Sequence, residues 1–242
     1  MRQPRVYLDL TLQSGDLITL TPEISHYLSQ VLRLKSGDFL RPFNAIDGEY
    51  LASIDKSDRK HTSIIIGENQ RPACLAKLSV HLGLGLSRGD RMDLAIQKST
   101  ELGVASITPL YTQYSEVKFK QADRAGKKVD HWRKIAISAA EQSGRLTPPF
   151  VHHPTAVAQW LESAQSSLKL ILTPEGSTRF AELPYSDSCD LLIGSEGGFS
   201  PEEIKLSKKS SFVEVTMGQR VMRTETAPIA ALAILQYRFG DI

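Results

Sequence analysis

The run LLIGSEGGFSPEEI, residues 191–204, carries an apolar stretch into a glycine-rich turn and then opens a helix at once. Ser200 and Glu203 make the S-x-x-E capping box, and Pro201 takes the first helical position. Gly194, Gly197 and Gly198 let the turn bend and let a ligand come close to the backbone. The carboxyl end of a strand is where an open α/β sheet takes its ligands. A nucleoside triphosphate would want a lysine after the glycines and positive potential at the helix start. Glu196, Glu202 and Glu203 supply the opposite, and neither GxxxxGK nor GxGxxG occurs. The turn therefore suits an uncharged or cationic ligand, such as an adenosine whose hydroxyls Glu196 accepts, or a sulfonium. A plain strand-to-helix connection fits the same residues.

A second run, TMGQRVMRTETAPIAAL (216–232), again follows a strand and opens a helix. Arg220 and Arg223 precede Thr224 and Thr226, whose side chains are expected to cap backbone amides, and Pro228 falls in the first turn. Arg223 and Glu225 then stand at the mouth of the same sheet edge. In AEQSGRLTPP (140–149) a long helix stops at Gly144, an ordinary C-cap signal. Arg145 there either neutralises the helix dipole or contacts substrate.

These runs need elements to position them. Short strands around one helix fill the first seventy residues: RVYLDL, LITL, the apolar spacing Ile24, Leu28, Val31 and Leu32, then FLRPF, EYLASI and TSIIIG. Asp47-Gly48 is the hairpin signal, and the strand spacing suggests a small barrel. ENQRPACLAK (68–77) breaks the pattern, so the expected boundary lies at about residue 71, giving domains 1–71 and 72–242. Beyond it strands alternate with helices: LSVHLGLG, a helix from Asp90 to Leu102, SITPLY, a helix from Lys128 to Gln142, then LKLILTP, CDLLIG and FVEVTMG. That rhythm predicts an α/β domain with a parallel sheet and helices on both faces. Residues 227–235 are apolar on every face, which predicts burial on several sides, within the sheet stack or against a second subunit.

Composition narrows the partners. The chain has 242 residues, 41% of them apolar, and balances 29 Lys and Arg against 27 Asp and Glu, a net +2. A disordered chain and a histone-like polycation are both excluded. Cys74 and Cys189 lie far apart and read as buried thiols without a disulfide. Six histidines show no metal-ligand spacing, so no metal is expected. Neither a signal h-region nor a stretch long enough to span a bilayer occurs, which predicts a cytoplasmic protein with no membrane contact. Seven basic residues against two acidic ones cluster between Val117 and Lys134, Lys118 and Lys120 among them. Arg33, Lys35 and Arg41 gather near the helix-to-strand turn of the first domain. Both groups are candidate phosphate contacts. A general single-strand binder that relies on aromatic platforms is disfavoured at 7% aromatic residues.

Taken in order, VLRLKSGD (31–38), SRGDRMDLAIQKSTELGV (87–104), ITPL (107–110), AEQSGR (140–145), LIGSEGGFS (192–200), VMRTETA (221–227) and RFGD (238–241) closely resemble a family of bacterial small-subunit ribosomal RNA methyltransferases. Its members belong to the SPOUT, or trefoil-knot, class and methylate uridine at N3. The resemblance runs over nearly the whole chain. It implies a PUA-like N-terminal β-barrel, a SPOUT-type trefoil-knotted parallel sheet, a homodimer, and 16S rRNA within the 30S subunit as partner. Ordinary connection rules would instead give an open doubly wound sheet. The family usually has Pro where this chain has Ser195, and Ser is expected to loosen the turn slightly.

The resemblance also implies S-adenosylmethionine as cofactor. It would sit around Leu172 and Thr173, the turn of Gly194, Glu196, Gly197 and Gly198, then Met217 and Gly218, and finally Val221, Met222, Arg223, Thr224, Thr226 and Ala227. Because the N3 proton of uracil must leave before nitrogen attacks, Arg223 is assigned to the developing anion, and Glu196 or Glu225 to the proton. RNA contacts are expected from Arg5, Arg33, Lys35, Arg41, Arg88, Lys118, Lys120 and Arg145. Two other readings remain open: a non-catalytic RNA clamp, and a nucleotide-dependent oxidoreductase or phosphotransferase, against which the missing phosphate loops count.

Overall fold

The computed structural model describes residues 3–117 and 122–242, so Lys118 and Lys120 lie outside the described residues. Two compact units form: Met1–Leu75 with Ala140–Thr147, and Ala76–Ala139 with Pro148–Ile242. The expected cut at residue 71 falls on the last residue of a strand. Sequence order alone had placed Ala140–Thr147 in the second domain.

In the first unit β1 (Arg5–Tyr7), β2 (Leu17–Thr19), α1 (Pro22–His26), β3 (Phe39–Asn44), β4 (Gly48–Lys56) and β5 (Ser63–Arg71) follow one another. The strands make a mixed sheet of order β1-β3-β4-β5-β2, with β1 parallel to β3 and the remaining pairs antiparallel. Alternating residues bury Leu40, Ala52, Ile54, Ile64 and Ile66 around Leu28. Gly48, at φ +93°, closes the β3–β4 turn, where Asn44 Oδ1 accepts from the amides of Ile46 and Asp47. The stripe expected from Ile24, Leu28, Val31 and Leu32 fails at Val31, which is exposed. After α1 the chain runs through a π-turn, Tyr27–Val31, with Leu32 N donating to Tyr27 O. One extra residue per turn rotates Val31 off the apolar face. Cys74 is likewise exposed, contrary to the buried-thiol expectation, while Cys189 is buried. Its strand is buried on both sides, and burial, with the Asp190 charge beside it, pushes the Cys189 thiol well above its ordinary range.

Arg5 explains why Ala140–Thr147 belongs here. Its guanidinium lies against the Phe43 ring and donates to Glu49 Oε2 at 2.5 Å, Ala140 O at 2.7 Å, Glu141 O at 2.9 Å and Arg145 O at 2.8 Å. It thereby satisfies carbonyls that a helix end leaves without partners. Arg5 is thus a buried structural cation rather than the RNA contact expected from its type, with 8% of its side chain exposed. Arg41 is drawn into the same cluster through Glu49 Oε1 at 3.2 Å and Gln3 Oε1 at 2.8 Å. Arg71 reaches the Gly144 carbonyl.

The second unit comprises β6 (Ser79–Gly85), α2 (Asp90–Glu101), β7 (Ser106–Tyr111), α3 (Ala122–Ser143, whose last turn counts with the first unit), β8 (Phe150–Val151), β9 (Thr155–Ala156), α4 (Val157–Ser163), β10 (Leu168–Leu172), β11 (Thr178–Arg179), β12 (Ser188–Ile193), α5 (Pro201–Lys209), β13 (Val213–Thr216) and α6 (Thr226–Phe239). Its strands pair in parallel in the order β11-β13-β10-β12-β6-β7-β8, with β9 beside β7. One sheet face packs on Met92 and Ile96 of α2, Val129 and Trp132 of α3, and Ala231, Leu232 and Leu235 of α6. The other packs on Val157, Trp160 and Leu161 of α4 and on Ile204 and Leu206 of α5. Cover on both faces is why these strands read as nearly continuous apolar runs. Helix α3 starts six residues before the expected Lys128. Among the described residues no helix is long and apolar enough to cross a membrane.

Candidate active site

Strands β13, β10 and β12 are neighbours, so their carboxyl ends deliver Met217, Leu172 with Thr173, and Gly194 to one place. There they line a cleft of about 650 Å³ with Glu196, Gly197, Gly198, Gly218, Val221, Met222, Arg223, Thr224 and Ala227. Thirteen of the fourteen residues expected around a cofactor meet here; Thr226 does not line the cleft. Arg91, Pro174, Glu175, Phe199 and Thr216, which no sequence motif marks for a role, also line it. Arg91 stands inside the SRGDRMD run, but its partner is 105 residues away: Nη1 donates to Glu196 Oε1 at 3.0 Å.

The turn is built as its residues predict. Gly198 N donates to Ser195 O at 2.9 Å, and Gly198 sits at φ +70°, where a Cβ would be strained. The capping box forms in full: Ser200 Oγ accepts from Glu203 N at 3.2 Å, and Glu203 Oε2 accepts from Ser200 N at 2.8 Å. Glu203 Oε1 also accepts from Gln113 N at 2.9 Å, so this carboxylate fixes the turn instead of facing a ligand. Ser195 does not loosen the turn. It is buried, and its Oγ lies 3.0 Å from Thr112 Oγ1, which in turn lies 2.8 Å from Ser115 Oγ. A hydroxyl chain thus ties the turn in a way that proline could not.

Gly85, the last residue of β6, passes so close beneath the turn that a Cβ there would overlap Ser195 N and Gly194 C. Gly85→Ala is therefore expected to cost about 1–3 kcal/mol in overpacking strain. A thermal melt checks this, and an unchanged midpoint would contradict the close approach.

At the opening of α6 the expected threonine caps are absent. The N-cap is Glu225, without a side-chain capping bond, and Thr224 Oγ1 turns to Glu225 Oε2 at 3.4 Å. Backbone bonds close the turn instead, from Thr226 N and Ala227 N to Arg223 O, both at 2.9 Å. Arg223 stays 79% exposed over the cleft, with Nη1 4.0 Å from Glu225 Oε1, while the Glu225 side chain is 13% exposed. Of the other expected RNA contacts, Arg33 and Lys35 are exposed, Arg33 in a left-handed conformation at φ +57°. Arg88 pairs with Glu116 at 2.8 Å across an open surface. Arg145 gives its carbonyl to Arg5.

Residues 75–236 match the family model described as an RNA methyltransferase domain, which sets the class of protein. The chain is 37% identical to the ribosomal RNA small subunit methyltransferase E of Buchnera aphidicola (subspecies Schizaphis graminum), over 100% of this chain and 98% of that one. Two solved structures cover the whole chain and are wholly covered by it. A putative methyltransferase from Legionella pneumophila, in complex with bound cofactor SAM, superposes with a TM-score of 0.95 at 39% identity. The Neisseria gonorrhoeae ribosomal RNA small subunit methyltransferase E, bound to S-adenosyl methionine, does so with 0.92 at 31%. The chain belongs to the ribosomal RNA small subunit methyltransferase E family.

Proposed function

We propose that this protein transfers a methyl group from S-adenosylmethionine to N3 of a specific uridine in 16S rRNA of the 30S subunit. The observation that carries the reading is the single cleft in which the GSEGG turn, the β10 and β13 ends and the RTETA segment meet. Its walls suit the cofactor: Leu172, Ile193, Met217 and Met222 offer apolar contact, the bare glycine turn offers backbone groups, and Glu175 and Glu196 offer carboxylates for hydroxyls or a cationic end. When bound, S-adenosylmethionine supplies an activated methyl on a sulfonium, so the protein need only bind, orient and manage a proton.

Uracil N3 carries a proton, and its in-plane lone pair becomes available only when that proton leaves. Arg223 presents a fixed positive charge at the cleft mouth, suited to the uracil oxygens as negative charge develops. Glu196 and Glu225 are the candidate carboxylates for the proton, Glu175 on the same cleft being read as a cofactor contact. Glu196 lines the cleft with Arg91 holding one oxygen, whereas Glu225 is more enclosed and orients Arg223. Glu196 therefore takes the proton in this reading, and Glu225 is the positioning group.

The finer architecture goes with the family. The second unit is read as a SPOUT-type sheet whose last helix threads a trefoil knot, supported by the burial of Ala231, Leu232 and Leu235. The first unit is read as a PUA-like barrel module that holds RNA through Arg33 and Lys35. Ile229, Ala230 and Ala233 of α6 remain only half-buried, which supports a homodimer. The setting is cytoplasmic. Calorimetric titration with S-adenosylmethionine, ATP and NAD tests the reading: the first is expected to bind at the cleft, and neither ATP nor NAD is expected to displace it. Heat from ATP or NAD, with none from S-adenosylmethionine, would overturn it.

A further inference from the structure

At the opposite end of the same sheet, four side chains fall in one row across four parallel strands. Asp190 of β12 pairs in register with His81 of β6, His81 with Ser106 of β7, and Ser106 with Phe150 of β8. Register partners in a parallel sheet project to one face, and here that face is polar where a sheet buried on both sides is ordinarily apolar. The row borders a cavity of about 950 Å³ roofed by Trp160 and Ser163 of α4. Gly83 makes room for that roof, since a Cβ there would press on the Trp160 ring.

The cavity's chemistry is mixed in a particular way. Phe150 is 59% exposed, His152 meets its ring edge-on at 4.6 Å, and the Arg133 guanidinium lies 5.5 Å from its centroid. Such a ring, flanked by a cation, is a stacking surface for a planar group. Nearby, His81 Nδ1 is 2.8 Å from Ser106 Oγ. The buried Asp190 carboxylate accepts from Ser166 N at 2.8 Å and has Lys169 beside it in the row. Desolvation by the cavity wall, with His81 and Arg133 close by, keeps His152 below the ordinary histidine range although the residue itself is open to solvent. Arg133, whose Nε donates to the Val151 carbonyl at 3.2 Å, is the cation beside the ring. An acidic peptide would leave the exposed Phe150 ring without a stacking partner. A nucleotide has a base for Phe150, a phosphate for Arg133 and ribose hydroxyls for an acidic acceptor.

We propose that this cavity binds one nucleotide unit, its base on Phe150 and its phosphate at Arg133. The site is separate from the methyl-transfer cleft and does not depend on what that cleft does. The test follows the imidazole resonances of His152 and His153 in the full-length protein during titration with 5′-UMP, hexauridylate and inorganic phosphate. Both uridine ligands are expected to shift these signals, with phosphate alone far weaker. Tighter binding of hexauridylate would assign the site to an RNA strand, and equal affinity to a free mononucleotide; either upholds it. Phe150→Ala, a change at an exposed ring that leaves the core intact, is expected to weaken binding roughly tenfold, the scale of one lost stacking contact. Three results would each overturn the proposal: no shift of these imidazoles, phosphate binding as tightly as UMP, or unchanged affinity in the variant. Because nothing here reads methyl transfer, failure at this site leaves the cleft's assignment intact.

Discussion

Arg223→Ala is expected to bind S-adenosylmethionine about as well as the parent protein and to lose methyl transfer by at least roughly a hundredfold, the scale of one deleted electrostatic contact to a developing anion. The side chain is well suited to a clean test. It is 79% exposed and approaches Glu225 at only 4.0 Å, and Thr224 Oγ1 stays on the other Glu225 oxygen at 3.4 Å, so truncation should move the melting temperature little. In the proposed function its worth should appear with RNA bound, where excluded water would let the same charge act at lower effective dielectric. Transfer of a labelled methyl to 30S subunits, beside calorimetry with the cofactor, separates the two effects. Turnover close to that of the parent would remove Arg223 from the chemistry.

Arg5→Ala should act on stability instead, lowering it by about 3–5 kcal/mol, the cost of breaking a buried ion pair from one side. For a chain of this size that is on the order of a 10 °C loss in Tm. The mutation strips Glu49 of its closest partner and leaves three carbonyls, those of Ala140, Glu141 and Arg145, without their donor. Arg5→Lys should recover little, since an ammonium cannot fork to four acceptors. pH provides an independent reading of the same cluster. Burial alone would raise Glu49, but the hydrogen bonds and charges of Arg5 and Arg41, with Arg71, outweigh it and hold its carboxyl below the ordinary glutamate range. A carboxyl depressed on folding stabilises above its unfolded pKa, near 4.5, and that contribution disappears as pH falls through the folded value. The advantage of the parent over Glu49→Gln should therefore be full at pH 7 and fade below about 4.5. An Arg5→Ala protein with a parental melt and weakened RNA binding would restore Arg5 as an RNA contact.

Arg5 and Arg223 also mark the limit of what a chain reveals before it folds. Features made by neighbours in sequence were legible: the Ser200–Glu203 box, Pro201 at the helix start, the Asp47-Gly48 turn and the apolar strands of a sheet covered on both faces. The cleft was legible too, because glycines and strand ends mark it locally. Partners distant in sequence were not. Nothing near Arg5 announces carbonyls 135 to 140 residues away, so an arginine that becomes a buried clamp looks like any surface cation. Arg91, whose partner Glu196 lies 105 residues away, is hidden for the same reason. Ser195 was expected to slacken its turn because the hydroxyl of Thr112 could not be placed beside it, and Val31 was expected inside because a π-turn leaves no trace in apolar spacing. The row from Asp190 to Phe150 exists only in the register of four strands, which no linear pattern encodes.

The most direct measurement incubates the purified protein with 30S subunits and S-adenosylmethionine carrying a labelled methyl, then digests the 16S rRNA to nucleosides for mass spectrometry. The expected product is labelled 3-methyluridine at one site, absent when Arg223→Ala replaces the parent. Label in any other nucleoside, or a labelled protein with unmodified rRNA, would contradict the assignment of this cleft to uridine N3.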